Sequence, residues 1–166
     1  MRAGIALGSN LGDRLAHLKT ALEQIARLPM IYPPVLVSSV YETEPVGCAP
    51  DAPPFLNAVI EVECDRAPAD LLHRLRRIEE AAGRRGKHER NAPRTLDLDL
   101  LYVGDTVISA NGLELPHPRA HERRFVLEPL AEIHPDLVLP GQTEDVAALL
   151  RRLPQTTPLV RVPCEW

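Results

Sequence analysis

The sequence predicts an α+β fold of the ferredoxin-like type, in which two long helices cover one face of an antiparallel sheet, with an added hairpin and C-terminal helices. Apolar residues alternate with period two in some segments and recur at helical spacing in others, and these segments follow one another as β-α-β-β-α-β. The 166 residues, 45% of them hydrophobic, are enough for one domain with its own core, predicted to span residues 1–166.

The first half of the chain supplies the first three of these segments. A strand is predicted over Arg2–Leu7, and it ends at a Gly-Ser-Asn turn that leads into a helix over Asp13–Arg27. Three prolines follow the helix, after which the β-rich stretch Val35–Thr43 is predicted to form a second strand. The stretch Glu44–Pro54 contains four prolines and a glycine, so it is predicted to be a loop.

The second half continues the pattern. Phe55–Glu63 alternates as a strand, and a helix is predicted from Pro68, a favoured first-turn residue, to Gly83 at its C-terminal end. The next strand is predicted over Leu96–Val103, followed by a tight turn into a hairpin strand at Thr106–Ser109. Two further helices are predicted, Pro118–Leu127 and Thr143–Leu153.

Two aspartates in the Leu96–Val103 strand are the most informative feature of the sequence. Strict alternation places Leu98 and Leu100 on one face and Asp97 and Asp99 on the other, with the aspartate Cα atoms roughly 6.5–7 Å apart. Neighbouring carboxylates repel each other, and a hard divalent cation such as Mg²⁺ relieves that repulsion. The alternative is a pair of solvated aspartates on an exposed sheet face.

A strongly basic segment precedes the aspartates. Five cationic side chains lie within Arg84–Arg94, and eleven of the 19 Lys and Arg residues lie between Arg74 and Arg124, although the net charge is −4. Such a segment beside carboxylates suits Mg²⁺ and polyphosphate, since guanidinium groups hold phosphate oxygens bidentately. Arg84–Pro93 is further predicted to be a mobile lid that becomes ordered only when the metal-bound polyphosphate and the second substrate are both bound. The alternative is a solvated loop.

The composition argues against several other classes of protein. No apolar run reaches the roughly 18 residues of a membrane span. Three widely spaced cysteines match neither a disulfide framework nor a zinc motif, which indicates a reducing cytoplasm. P-loop and nucleophile-elbow motifs are absent. An aromatic content of 4% and a negative net charge argue against a nucleic-acid-binding face. Metal-assisted phosphoryl chemistry on small molecules remains.

Several motifs, taken together and in order, carry a resemblance to a known family. They are Gly8-Ser9-Asn10-Leu11-Gly12, Tyr41-x-Thr43, Phe55-Leu56-Asn57-Ala58, Pro93–Leu100, Pro116-His117-Pro118-Arg119 and Arg123–Leu130. The chain resembles the 6-hydroxymethyl-7,8-dihydropterin pyrophosphokinases of folate biosynthesis from end to end. The resemblance implies transfer of the terminal pyrophosphoryl group of ATP to the pterin hydroxyl, with release of AMP.

The resemblance also implies roles for individual residues. Asp97 and Asp99 would hold two Mg²⁺ ions, and Arg84 and Arg94 would act with them in catalysis. The nucleotide-binding positions would be Glu79, Arg84, Arg90, Arg94, Leu100, His117 and Arg123. The pterin would be stacked by two phenylalanines and read by one amide, in a pocket of Thr43, Val46, Phe55, Asn57 and Phe125.

Three positions depart from the family pattern. Asn91 stands where many members carry an aromatic residue, Arg76 where a neutral amide is common, and Gly86 where some members carry a basic residue. The alternatives are a Mg²⁺-dependent phosphotransferase for another small alcohol, or a pterin-binding relative without catalytic activity. We expect a monomer whose partners are ATP and the pterin, without nucleic acid or membrane.

Overall fold

The computed structural model describes residues 1–43, 53–83, 95–154 and 159–166. Within these ranges, none of the helices combines the length and apolar character needed to cross a bilayer. The elements in chain order are β1 (Arg2–Ser9), α1 (Arg14–Ala26), β2 (Ile31–Val37), β3 (Val40–Thr43), β4 (Phe55–Cys64), α2 (Pro68–Ala81), β5 (Asp97–Val103), β6 (Ile108–Ala110), β7 (Leu113–Leu115), a 3₁₀ turn (Ala120–Glu122), α3 (Arg124–Ile133), α4 (Val146–Arg152) and β8 (Val160–Val162).

The main sheet is antiparallel. Its strand order is β5-β1-β4-β3-β8, and β2 also pairs with β4. If β2 and β3 are taken together as one interrupted strand, this is the order expected for two split β-α-β units. The predicted α+β, ferredoxin-like fold is confirmed.

The two faces of the sheet are covered by different helices. Helices α1 and α2 pack one apolar stripe each against the first face, where the larger core cluster lies. Helices α3 and α4 cover the second face, around Val59, Leu101 and Tyr102. The chain therefore buries both sides of β1, β4 and β5, and functional side chains must lie where a face or an edge is left open.

The predicted second strand is wrong in one respect, because the structure contains two strands there. Strand β2 begins at Ile31 and passes through Pro33 and Pro34, and it ends before Ser38, ahead of β3. Its pairing with β4 shifts register between Tyr32 and Leu36, so the prolines lie where no regular ladder needs their missing N–H groups.

The predicted hairpin between Leu96–Val103 and Thr106–Ser109 is also wrong. Strand β6 pairs instead with β7, in a separate two-stranded sheet. The turn between β6 and β7 is Asn111-Gly112, and both residues have positive φ angles, 54° and 76°. This is the conformation of a type I′ turn, for which Asn-Gly is the preferred sequence.

The C-terminal helices differ from their predicted bounds. Instead of one helix over Pro118–Leu127, a 3₁₀ turn is followed by α3, which starts at Arg124 and contains Pro129. Helix α4 starts only at Val146, since the Asp145 carboxylate caps it by accepting from the Ala148 amide at 2.9 Å. Strand β8 was not predicted, because three residues are too few for a periodic signal.

Strand β5 contains one extra residue, Leu101. Leu100 is opposite Ile5 and Tyr102 is opposite Gly4, so Leu101 has no register partner in β1. This is a β-bulge. The Leu101 carbonyl accepts a 2.8 Å hydrogen bond from the backbone amide of His117. The bulge therefore docks the segment that follows β7 against the strand that carries the two aspartates.

Alanine at Gly4 is expected to lower the free energy of unfolding by about 1–3 kcal/mol. A Cβ atom at Gly4 would lie 2.3 Å from Cε1 of Tyr102, whose ring is buried and whose hydroxyl donates to Glu61. Urea denaturation of Gly4→Ala measures the loss. The loss should shrink in a Tyr102→Leu background, and equal losses in both backgrounds would contradict the steric explanation.

Candidate active site

Asp97 and Asp99 lie on the face of β5 predicted from the alternation. Leu98 and Leu100 point into the larger core and are 3% and 4% exposed, whereas both aspartates are only half-buried. The aspartates share the second face of the sheet, near its edge, because β5 ends the strand order. Two carboxylates are thus presented together toward solvent, as a site for a hard divalent cation requires.

A cleft of about 460 Å³ lies beside this edge strand. Helix α2 forms one wall, the β6–β7 hairpin forms the other, and β5 forms the floor. The cleft brings together four groups that the family resemblance assigned separately to the nucleotide and the metal: Glu79, the aspartate pair, Leu100 and His117. Arg76 and Glu80 also line the α2 wall, so the departure at Arg76 adds a cation to this cleft.

Glu79 differs from the other acidic residues of the α2 wall. It is 4% exposed, on the inner side of α2 among the residues that pack against the sheet. Burial of a carboxylate is unfavourable unless polar partners compensate it. Its position therefore fixes one acceptor-rich group at the inner wall of the cleft.

His117 and Arg123 lie close enough to the aspartates for the carboxylate charge to affect their pKa values. Burial lowers the pKa of His117, the positive charges of Arg123 and Arg119 lower it further, and Asp97 opposes them. Burial also lowers the pKa of the Arg123 guanidinium, with Asp99 and Asp97 acting in the opposite direction. At neutral pH, His117 is a neutral imidazole whose Nδ1 accepts a 3.2 Å hydrogen bond from the Arg119 backbone amide, so Nε2 carries the proton and is the donor.

The depressed pKa of His117 predicts a pH dependence of stability. As the pH falls through 6.5, the unfolded chain takes up a proton on this residue while the folded protein does not, so folding loses stability. Chemical denaturation between pH 7.5 and 5.5 should therefore show a steeper loss for the wild-type protein than for His117→Gln. Parallel curves for the two proteins would contradict the assignment of a depressed pKa to His117.

A second group of polar side chains lies on the same face, two strands away. Cross-strand pairing places Asp97 opposite Gly8, Gly8 opposite Asn57, and Asn57 opposite Tyr41. Residues paired in register share a face. Two strand spacings separate Asp97 from Asn57, so their Cα atoms are about 10 Å apart. Gly8 leaves the space between them open.

The Asn57 amide has a fixed orientation. Its Nδ2 donates to Thr43 Oγ1 at 2.7 Å, and both residues are buried, at 8% and 7% exposure. Its Oδ1 lies on the other side, where a Cβ atom at Gly8 would be only 3.3 Å away. Among the residues that the structure describes, no other hydrogen bond uses the second N–H or the carbonyl oxygen of this amide, which leaves a donor and an acceptor for a ligand edge.

Two half-buried phenylalanine rings lie on the same side of the sheet as these groups. Phe55 lies beside Gly8, since a Cβ atom there would be 3.7 Å from its Cδ1. Phe125 is in the first turn of α3, and the Arg123 guanidinium lies 5.5 Å from its ring centroid. In the described part of the chain, no contact joins the two rings directly. Each ring offers a separate apolar surface on the α3 side of the sheet.

Several predicted site residues lie outside the described residues. They are Val46 in the loop after β3, and Arg84, Arg90 and Arg94 in the basic segment. The predicted lid, with the departures at Gly86 and Asn91, lies there too. The roles of these residues stay predictions.

The structure also adds residues that the sequence analysis did not assign to the site. Gly8 was interpreted as part of a turn, but it lies within β1 between Asn57 and Asp97. The β6–β7 hairpin, with Gly112 and Glu114, forms a wall of the cleft. The Asn111-Gly112 dipeptide was the available signal for that hairpin. Gly8 opens a motif of the family resemblance, but its place between Asn57 and Asp97 had no local signal, because long-range pairing sets its neighbours.

Comparison with known proteins gives one consistent family. The sequence profile of 7,8-dihydro-6-hydroxymethylpterin-pyrophosphokinase (HPPK) matches residues 4–135. The chain is 44% identical over 139 residues to the 2-amino-4-hydroxy-6-hydroxymethyldihydropteridine pyrophosphokinase of Haemophilus influenzae, covering 84% of this chain and 85% of that protein. It is 45% identical over 134 residues to the enzyme of that name from Bacillus subtilis, covering 79% and 77%.

Solved structures of HPPK-DHPS chains have the same fold. One from Plasmodium falciparum superposes with a TM-score of 0.68 at 13% identity, over 90% of this chain. This chain spans only 42% of that one, and at such identity the likeness concerns the fold alone. The family match over residues 4–135 and the identities above 40% are the decisive findings. The chain belongs to the 7,8-dihydro-6-hydroxymethylpterin-pyrophosphokinase family.

Proposed function

We propose that this chain transfers the pyrophosphoryl group of ATP to the hydroxyl of 6-hydroxymethyl-7,8-dihydropterin, giving the pterin diphosphate and AMP in folate biosynthesis. One observation carries the proposal: the row Asp97–Gly8–Asn57, which aligns an acidic pair and an amide on one sheet face, about 10 Å apart. A pyrophosphoryl transferase needs two adjacent subsites, one for phosphates and one for the acceptor alcohol.

The Asn57 side of the row suits the pterin. A pterin is flat and has an amide–guanidine edge, so it needs apolar faces and a group that both donates and accepts. The Asn57 amide is held by Thr43 and offers both functions, and the rings of Phe55 and Phe125 supply apolar surface on the same side of the sheet. Val46 belongs to this proposed pocket by family resemblance.

The Asp97 side suits ATP and Mg²⁺. Two half-exposed carboxylates on one strand face are oxygen donors of the kind that Mg²⁺ prefers, and they fit this ion. In the described part of the chain, no group of three or more Asp, Glu, His or Cys residues could hold a metal ion. When bound, two Mg²⁺ ions supply charge neutralisation of the phosphates.

The remaining cleft residues would bind and orient the nucleotide. We propose that Glu79 and Leu100 contact the nucleoside at the inner wall and floor, and that His117 and Arg123 contact phosphate oxygens. A neutral His117 can donate a hydrogen bond to a phosphate oxygen, and it adds no positive charge that would repel a bound Mg²⁺. Arg84, Arg90 and Arg94 are proposed as further phosphate ligands, with Arg84 and Arg94 acting during transfer.

We further propose the setting in which the enzyme works. It would be a single, monomeric domain over residues 1–166 that works in the cytoplasm. The free Cys64 and Cys164 of the described residues are consistent with a reducing compartment. Its partners would be ATP and the pterin, without nucleic acid or membrane. Gel filtration with light scattering tests the oligomeric state.

AMP release from ATP tests the proposed function. We expect release that requires both Mg²⁺ and 6-hydroxymethyl-7,8-dihydropterin, and that stops with EDTA and recovers with excess Mg²⁺. Release of ADP, or equal AMP release with a simple alcohol in place of the pterin, would favour a different phosphotransferase. Pterin binding without AMP release would favour a non-catalytic relative.

A further inference from the structure

One carboxylate ties helix α3 to strand β3. The Oε1 atom of Glu132, near the end of α3, accepts a 2.5 Å hydrogen bond from the backbone amide of Ser39. Its Oε2 atom accepts a 3.0 Å hydrogen bond from the hydroxyl of Tyr41. Ser39 directly precedes β3, and Tyr41 lies within it. The two oxygens therefore hold the start of β3 against the helix at two points.

The tied elements carry opposite parts of the proposed pterin pocket. Helix α3 carries Phe125, two turns before Glu132. Strand β3 carries Thr43, two residues after Tyr41 on the same strand face, and Thr43 holds the Asn57 amide. The position of Phe125 relative to the Thr43–Asn57 pair thus depends on how α3 sits on β3.

We infer that Glu132 is a positioning residue for the pterin, which fixes the distance between the Phe125 ring and the Asn57 amide without touching the substrate. This inference rests on the proposed function and gives a role to Glu132, a residue to which the resemblance assigned none.

The surroundings explain why this tie matters. Ser38 is already fixed on the sheet side, since its hydroxyl accepts from the Val59 amide at 2.9 Å and its carbonyl accepts from Trp166 Nε1 at 2.9 Å. These two hydrogen bonds hold the β2–β3 junction to β4 and to the C-terminal segment, and Glu132 links the same junction to α3. Burial and the hydrogen bond to Glu132 raise the pKa of Tyr41 to about 12, so the phenol remains a donor at neutral pH.

Three variants test the inference. Glu132→Ala removes both hydrogen bonds, Tyr41→Phe removes one, and Glu132→Gln keeps an oxygen for Ser39 and an amide for the phenol. For Glu132→Ala we expect the Kd of the pterin to rise about tenfold and the Kd of MgATP to stay within about twofold. The other two variants should lie between Glu132→Ala and the wild-type protein, with Glu132→Gln nearest the wild type.

Glu144→Ala is the matched control. Glu144 is a partly exposed carboxylate just before α4, and it pairs with Arg152 rather than with β3. Its loss should leave both Kd values unchanged. A merely structural role of Glu132 would lower stability and weaken both ligands equally, so equal changes, or no change, in the two Kd values would overturn the positioning role.

Hydrogen–deuterium exchange without ligand separates this inference from the proposed function. In Glu132→Ala, the β3 amides should exchange faster while the β1 amides stay protected. Unchanged β3 exchange would overturn the tie itself, whatever the substrate. Faster β3 exchange in a protein whose wild type neither binds the pterin nor releases AMP would overturn the proposed function, and with it the role toward the pterin.

Discussion

Alanine at Asp97 or at Asp99 is expected to lower turnover by about two to three orders of magnitude while the protein stays folded. The two carboxylates are presented on one strand face into the cleft, where they would hold the ions that neutralise the phosphates. Removing either ligand leaves negative charge on the transferring group uncompensated, and this affects the transition state more than the ground state.

Stability should respond very differently from activity. Both side chains are half-exposed and of like charge, so each substitution should change the free energy of unfolding by no more than about 0.5 kcal/mol. Asp105→Ala is the matched control, an exposed aspartate in the turn after β5. Steady-state AMP release and urea denaturation measure the two effects. A variant that keeps more than about a tenth of wild-type turnover would contradict the metal-ligand assignment.

Alanine at Asn57 is expected to weaken pterin binding by about a hundredfold and ATP binding by less than about threefold. The amide is buried and already oriented by Thr43, so its loss leaves several donors and acceptors of the pterin edge without partners. ATP would bind about two strand spacings away, at Asp97, and should not depend on this amide.

Titration calorimetry with each ligand separately measures the two affinities. Thr43→Ser keeps the hydroxyl that accepts from Asn57 and serves as the matched control, whereas Thr43→Val removes it and should give an intermediate loss. Equal weakening of both ligands by Asn57→Ala would mean that the residue supports the fold of the site rather than reading the pterin.

The faces of single elements were predictable from the sequence because local periodicity determines them. Alternation through β5 predicted that Leu98 and Leu100 are buried and that Asp97 and Asp99 face the other way, as the structure has them. The stripes of α1 and α2 were predicted in the same manner, and both helices pack on one face.

Relations between elements were not predictable, since they depend on register over long sequence distances. Asp97 and Asn57 are 40 positions apart in the sequence, and only the pairing of both strands with Gly8 aligns them. The prolines of β2 also misled local analysis, because an interrupted ladder tolerates residues that a regular strand excludes. The tie from Glu132 to β3 has no local signal at all.

The extra residue in β5 shifts the alternation of side chains along that strand by one position. Before Leu101, the odd-numbered residues Asp97 and Asp99 lie on the second face of the sheet. After Leu101 the even-numbered residue Tyr102 lies on that face, the same side as the two aspartates. Deleting Leu101 would remove the bulge and leave a regular strand, in which Tyr102 keeps the same side as Asp97 and Asp99. The deletion would, however, remove the carbonyl that accepts from the His117 backbone amide. The segment after β7 would then lose its hydrogen bond to the strand that carries the two aspartates.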